Sequence, residues 1–209
     1  YAFQSSNITK MTLPESSVTI GASAFRGCSS LTDINLDNVT SISGSAFYGC
    51  SSLTDINLDN VTSFNGTDIF YKCDNITPFD LHLAEGLTNL PSRSLSYLNI
   101  KSITFPSTMT TYNEGALLEC KYLKSVVFPN TITSVVVNSY YNGFQGCSSL
   151  ESVEFCDAFT ELKYYGQYQY SSLGTEDYTS GYFYNLTNLS SIKFGTKLSH
   201  IYQKAFWGC

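Results

Sequence analysis

The chain has 209 residues, 43% of them apolar and only 13% charged, so its polar surface must come largely from Ser, Thr, Asn and Tyr. With 11 Lys and Arg against 17 Asp and Glu, and a net charge of −6, no basic stripe is available to neutralise phosphates, which argues against a nucleic-acid binder. No apolar run reaches the ~18–20 residues of a membrane-spanning helix, and no signal peptide is visible ahead of Tyr1.

Taken in chain order, the residues repeat. A small residue followed by Phe or Leu marks each unit: Ala2-Phe3, Ala24-Phe25, Ala46-Phe47, Ile69-Phe70, Ser94-Leu95, Ala116-Leu117, Gly143-Phe144, Tyr182-Phe183 and Ala205-Phe206. The string GCSSLTDINLDNVTS occurs twice without a change, at 27–41 and 49–63. After each mark comes the pattern L-x-x-I-x-L, clear at Leu31/Ile34/Leu36, Leu53/Ile56/Leu58, Ile100/Ile103/Phe105, Leu123/Val126/Phe128, Leu150/Val153/Phe155 and Leu189/Ile192/Phe194. Ile8/Met11/Leu13 and Ile76/Phe79/Leu81 are degenerate copies. Its last two apolar positions alternate, which predicts a short strand with one buried face. A second strand follows at Val39/Ile42, Val61/Phe64, Leu87/Leu90, Ile132/Val135 and Leu198/Ile201. A tight, 3₁₀-like turn then carries the next mark. A unit of ~22 residues cannot bury its apolar side alone, whereas stacked units can, each contacting only its neighbours.

The segments IGASAFRGCSSLTDINL (20–36) and AFYGCSSLTDINLDNVTSF (46–64) resemble the BspA-type leucine-rich repeat, and the resemblance covers essentially the whole chain. It implies a curved, right-handed, strand-rich solenoid with parallel β ladders and short helical or 3₁₀ turns. It further implies a secreted or surface protein of host-associated bacteria or parasitic protists, acting in adhesion rather than catalysis. One solenoid domain over 1–209, of about eight to nine repeats, is expected. Since both ends fall inside a repeat turn without a polar cap, a piece of a longer, monomeric chain is expected too.

Six of the seven cysteines, Cys28, Cys50, Cys73, Cys120, Cys147 and Cys209, lie three residues after a mark, where Leu98 and Leu186 stand in two other units. An apolar requirement explains both residue types, and a column of buried free thiols follows. Disulfides between neighbouring units stay open, since stacking could bring Cα atoms into range. Cys156, off this column, is the expected exposed and modifiable thiol. The spacings and the two histidines, His82 and His200, do not suit zinc. No P-loop, dinucleotide fingerprint or HExxH motif is present, and no cofactor or enzymatic activity is expected. Asp33, Asn35 and Asp37 should stack on Asp55, Asn57 and Asp59; this reads as a solvated face, with Ca²⁺ as the alternative. The sequons at Asn7, Asn38, Asn60, Asn65, Asn75, Asn185 and Asn188 matter only in a eukaryotic source.

Two units carry extra residues in the same phase, at 136–142 and 163–182. The stretch KYYGQYQYSSLGTEDYTSGYFY (163–184) holds seven tyrosines. Tyr with Ser and Gly is the composition of adaptable binding loops, so Tyr140, Tyr141, Tyr164, Tyr165, Tyr168, Tyr170, Tyr178 and Tyr182 are the candidate ligand contacts. The alternative is that they cover the edge of a widened unit. The function expected is binding of a host or matrix protein or a glycan at an extracellular surface, without nucleic acid or membrane insertion. A structural spacer in a larger surface or virion protein is the second reading.

Overall fold

The computed structural model describes residues 2–136, 143–162, 182–202 and 205–209. Short parallel strands make up the regular structure: β1 (Lys10–Met11), β2 (Val18–Ile20), β3 (Asp33–Ile34), β4 (Val39–Ser43), β5 (Ser63–Asn65), β6 (Phe79–His82), β7 (Asn89–Leu90), β8 (Ile100–Thr104), β9 (Thr111–Asn113), β10 (Ser125–Val127), β11 (Ser134–Val136), β12 (Ser152–Glu154), β13 (Glu161–Leu162), β14 (Ser191–Lys193) and β15 (His200–Ile201). Strands of like phase pair from one coil to the next. The first-strand series runs β1-β3 and then β6-β8-β10-β12-β14; the second-strand series runs β2-β4-β5, β7-β9-β11 and β13-β15. Like residues stand in register, for example Val126 beside Val153 and Val153 beside Ile192. This is the expected strand-rich solenoid.

One expected strand is missing. Leu53, Ile56 and Leu58 are buried, but the second exact copy forms no strand between β3 and β6. The Asn57 side chain accepts the Asp59 N–H at 3.0 Å and donates to Asp37 Oδ1 at 2.9 Å, an Asx turn. Asn35 makes the same turn to the Asp37 N–H at 2.8 Å while Asp33–Ile34 still pairs as β3, so the turn alone does not remove the strand. Threonines carry the stack across the gap: Thr54 Oγ1 donates to the Thr32 carbonyl at 3.4 Å, and the Thr77 N–H donates to the Thr54 carbonyl at 3.0 Å.

The expected tight turn is a run of overlapping i→i−3 hydrogen bonds. Around Phe47 they join Ala46 to Ser43, Tyr48 to Ser45, Cys50 to Phe47 and Leu53 to Cys50. Each turn is also bonded to the next coil, as by the Phe25 N–H to the Ala46 carbonyl at 2.8 Å and the Phe47 N–H to the Ile69 carbonyl at 2.9 Å. Stacking like on like brings the rings together. Phe3, Phe25, Phe47 and Phe70 form a column with centroids 5.3–5.6 Å apart and planes within 6° of parallel. A second column, Phe105, Phe128, Phe155 and Phe194, comes from the ends of the first-strand patterns, at 5.4–5.8 Å. Tyr112 and Phe159 wedge against Phe128 between the two strand series. Burying a ring of this size contributes roughly 1.5–3 kcal/mol, so such columns are the main gross term in each coil.

The turn also fixes backbone sign. The residue two after each mark has positive φ: Ser5, Gly27, Gly49, Lys72, Tyr97, Glu119, Gly146, Asn185 and Gly208. Only some of these are the glycine that such a conformation favours.

All seven cysteines are free. In the column, each thiol donates to the carbonyl of the mark residue one coil back: Cys28 to Phe3 at 2.9 Å, Cys50 to Phe25 at 3.1 Å, Cys73 to Phe47 at 3.0 Å, Cys120 to Leu95 at 3.4 Å, Cys147 to Leu117 at 3.1 Å and Cys209 to Phe183 at 3.0 Å. The Phe25 carbonyl, for one, thereby accepts twice, from the Cys28 N–H and from the Cys50 S–H. The position asks for a small apolar residue that can also donate, which is why cysteine recurs there. Burial pushes the Cys50 and Cys147 thiols up to about 12 and raises those of Cys73 and Cys120 as well.

Candidate functional site

Of the residues singled out from the sequence as ligand contacts, Tyr140, Tyr141, Tyr164, Tyr165, Tyr168, Tyr170 and Tyr178 lie outside the described residues. Tyr182 does not, and its position corrects that assignment. It is 1% exposed, packed edge-on to Phe144 at 6.2 Å and to Phe155 at 6.1 Å. Gly143 leaves the room it needs: a Cβ there would lie 2.4 Å from the Tyr182 ring. Tyr182 stands at the small-residue place of its mark, directly before Phe183, so its side chain points into the core rather than out of it.

Cys156 is a second correction. Instead of an exposed thiol it is 2% exposed, and burial raises its pKa. Simple alternation from buried Phe155 would have turned it outward. The chain leaves the strand at this point, and the Phe159 N–H bonds back to the Cys156 carbonyl at 3.2 Å, which rolls the side chain inward.

In the polar column Asp33/Asn35/Asp37 over Asp55/Asn57/Asp59, the Asn35 and Asn57 oxygens serve the Asx turns described above, Asp37 accepts from Asn57, and Asp33 pairs with Lys10 at 2.6 Å. Among the described residues no group of three or more His, Cys, Asp and Glu could hold a metal ion. His82 and His200 are both exposed and lie on different strand series; His200 Nδ1 is 2.9 Å from the Ser199 hydroxyl.

A different constellation emerges on the edge formed by the turns. The Arg26 guanidinium lies 4.0 Å over the Tyr48 ring. Tyr48 leans on Tyr71 at 4.9 Å and 42°, and Tyr71 meets Tyr97 edge-on at 4.6 Å and 86°. The Lys72 ammonium is 5.6 Å from the Tyr71 ring centre. All three tyrosines are half-buried. Behind them Arg93 and Asp68 form an ion pair, both largely out of solvent. Burial raises the Tyr97 phenol, and the Glu119 carboxylate beside it adds to the rise. Tyr48 and Tyr71 directly follow Phe47 and Phe70, so the marks put one aromatic per coil on this edge. The signal was in the sequence as AFRG, AFYG and IFYK.

The family model of the BspA type leucine-rich repeat region matches in six copies, over residues 1–82, 66–174 and 174–209. The chain belongs to the BspA-type leucine-rich repeat family. Among solved structures, the leucine-rich repeat protein TpLRR of T. pallidum is similar with a TM-score of 0.48 and 22% identity, over 92% of this chain and 73% of that one. A leucine-rich cell surface protein of Faecalibacterium prausnitzii matches with a TM-score of 0.43 and 19% identity, over 90% of this chain and 60% of that one. The pneumococcal vaccine antigen PcpA matches with a TM-score of 0.40 and 15% identity, over 94% of this chain and 56% of that one. The chain thus spans less than two thirds of the last two. No curated protein sequence matches it.

Proposed function

We propose that this BspA-type chain is a non-catalytic surface or secreted binding protein that contacts a host or matrix protein or a glycan through its solenoid face and its Tyr-rich insertion. The observation that carries the reading is the stretch 163–184, with its seven tyrosines, which holds the longer of the two insertions into the repeat. In a solenoid, insertions project from one edge and leave the stacked core unchanged, so they are where binding specificity can be added at little cost in stability. Among the described residues the column cysteines donate to carbonyls, and burial holds the Tyr112 phenol well above its ordinary pKa. A spacer within a larger surface protein would need regular coils but no such insertion.

The test is an array of matrix proteins and glycans probed with the whole chain and with a variant lacking 164–181. Circular dichroism and melting should match between the two, because the deletion brings the Phe144-to-Phe183 spacing to within one residue of the 22-residue repeat. Binding that disappears with the insertion supports the reading. Binding that is unchanged assigns recognition elsewhere and removes the insertion from it, and no binding by either protein favours the spacer.

A further inference from the structure

The turn edge departs from the repeat at one more place. Two residues after the mark, the backbone has positive φ in every described coil, and Gly27, Gly49, Gly146 and Gly208 meet that demand at no steric cost. In three successive coils the position is instead occupied by Lys72 (φ 61), Tyr97 (φ 67) and Glu119 (φ 58). Side chains as large as these rarely adopt this conformation, and its cost is accepted three times in a row. The three side chains are the ones that complete the aromatic edge: Lys72 lies over Tyr71, Tyr97 packs against Tyr71, and Glu119 stands beside Tyr97. Ser5 and Asn185 hold the same place elsewhere without being glycine, but only in these three coils is the side chain long.

We propose that Arg26, Tyr48, Tyr71, Lys72, Tyr97 and Glu119 form a binding ledge for an uncharged, linear oligosaccharide. The proposal rests on reading the chain as a binding protein, but it places a site outside the Tyr-rich insertion and names the ligand class. Three features select that class. The ledge is one side chain wide and several coils long, whereas a stable protein partner needs roughly 800 Å² and about 20–30 residues on each side. A single chain of sugar rings matches such a strip. Tyrosine offers what a pyranose packs on, an apolar ring against its C–H face. Its charges nearly cancel: Arg26 and Lys72 oppose Glu119, and Arg93 is matched by Asp68. Neither Arg26 nor Lys72 has a carboxylate partner among the described residues; both are held over rings, leaving their N–H groups as hydrogen-bond donors.

The test is calorimetric titration with soluble neutral hexasaccharides of β-linked glucose, xylose and N-acetylglucosamine. The proteins are the whole chain, Y71A/Y97A, Y71F/Y97F and the variant lacking 164–181. At least one hexasaccharide should bind the whole chain, with affinity falling about tenfold or more in Y71A/Y97A. Y71F/Y97F, which keeps the rings, and the insertion deletion should each stay within about threefold. Thermal melting of Y71A/Y97A guards against reading misfolding as lost binding. Three results overturn the ledge: no hexasaccharide bound by the whole chain, full binding by Y71A/Y97A, or equal loss in the Phe and Ala variants. If binding survives Y71A/Y97A but vanishes with 164–181, the ledge falls while the binding function stands.

Discussion

Alkaline pH should unfold this solenoid through its thiol column. The Cys50 and Cys147 thiols are raised by burial from an ordinary 9.0 to about 12. In the unfolded chain they would ionise near the ordinary value, while in the folded chain they stay protonated. A folded-state pKa above the unfolded one gives stability that is complete below the unfolded value and is lost as the pH rises towards the folded one. The window therefore runs from about pH 9 to about pH 12 for these two residues. Within it each thiol costs ~1.4 kcal/mol per pH unit, so at about pH 10.5 each has cost ~2 kcal/mol and the pair ~4 kcal/mol. Cys73 and Cys120 are shifted in the same direction and add to the loss. Against a typical total stability of ~5–15 kcal/mol, that brings unfolding within reach before about pH 11. The assay is urea denaturation followed by circular dichroism at several pH values between about 8 and 10.5, on the whole chain and on C50L/C147L. Leucine is the residue the repeat itself uses at 98 and 186, where both side chains are 1% exposed. The comparison is of slopes with pH, so a constant packing cost in the variant drops out, and so does ionisation of buried Tyr112, common to both proteins. The variant should lose ~4 kcal/mol less than the whole chain between about pH 8 and about pH 10.5. Parallel profiles would falsify the idea that these thiols are protonated donors locked in the core.

Two further substitutions probe the turn. Phe47→Ala removes a fully buried ring stacked on Phe25 and Phe70, and should cost ~3–5 kcal/mol in denaturant melts; Phe47→Leu should cost much less, because Leu95 and Leu117 fill the same place in other coils. Gly49→Ala should cost only ~1 kcal/mol, since its Cβ would meet nothing closer than 3.7 Å and only the φ of +76° resists. Gly66→Ala should cost ~1–3 kcal/mol more in the same melts, because a Cβ at φ +130° would lie 2.9 Å from the Gly44 Cα. Equal costs at the two glycines would mean that the close approach of the coils at Gly44 and Gly66 is not kept in solution.

The fold was legible because exact repetition removes most of the ambiguity of short apolar runs. Leu53, Ile56 and Leu58 could belong to a helix or a strand if seen alone. Seen as a copy of Leu31, Ile34 and Leu36, they must occupy the same place in a stack. The same logic located the thiol column, since Leu98 and Leu186 show what the position tolerates. The donor role of the thiol was not legible, because it depends on a carbonyl one coil away, and sequence spacing says nothing about how many bonds that carbonyl accepts. The missing strand at 53–58 was not legible either, because the same string forms β3 in the first copy and sequence alone does not separate the two. Cys156 and Tyr182 went wrong for related reasons. Each was read by composition or alternation just where the chain changes direction, and there the turn geometry, not the strand period, decides which way a side chain points.

The site was less legible than the fold, and the reason is physical. A tyrosine in an insertion stands out by composition, whereas Tyr48, Tyr71 and Tyr97 are hidden by regularity: each occupies an ordinary repeat position. What separates Tyr97 and its neighbours Lys72 and Glu119 from mere decoration is backbone sign, which a sequence does not display. Only when the mark-plus-two position is known to be left-handed in coil after coil do Lys72, Tyr97 and Glu119 become conspicuous. Glycine would satisfy that position with less strain, so retaining larger residues there argues for a demand from outside the coil. The stack already meets the coil's own demands without them: the Tyr97 N–H bonds to the Leu118 carbonyl at 2.8 Å just as the Gly49 N–H bonds to that of Tyr71 at 2.8 Å. The backbone ladder is indifferent to the side chain. The backbone ladder therefore does not require the side chains at 72, 97 and 119, and contact with a ligand is a demand that would account for them.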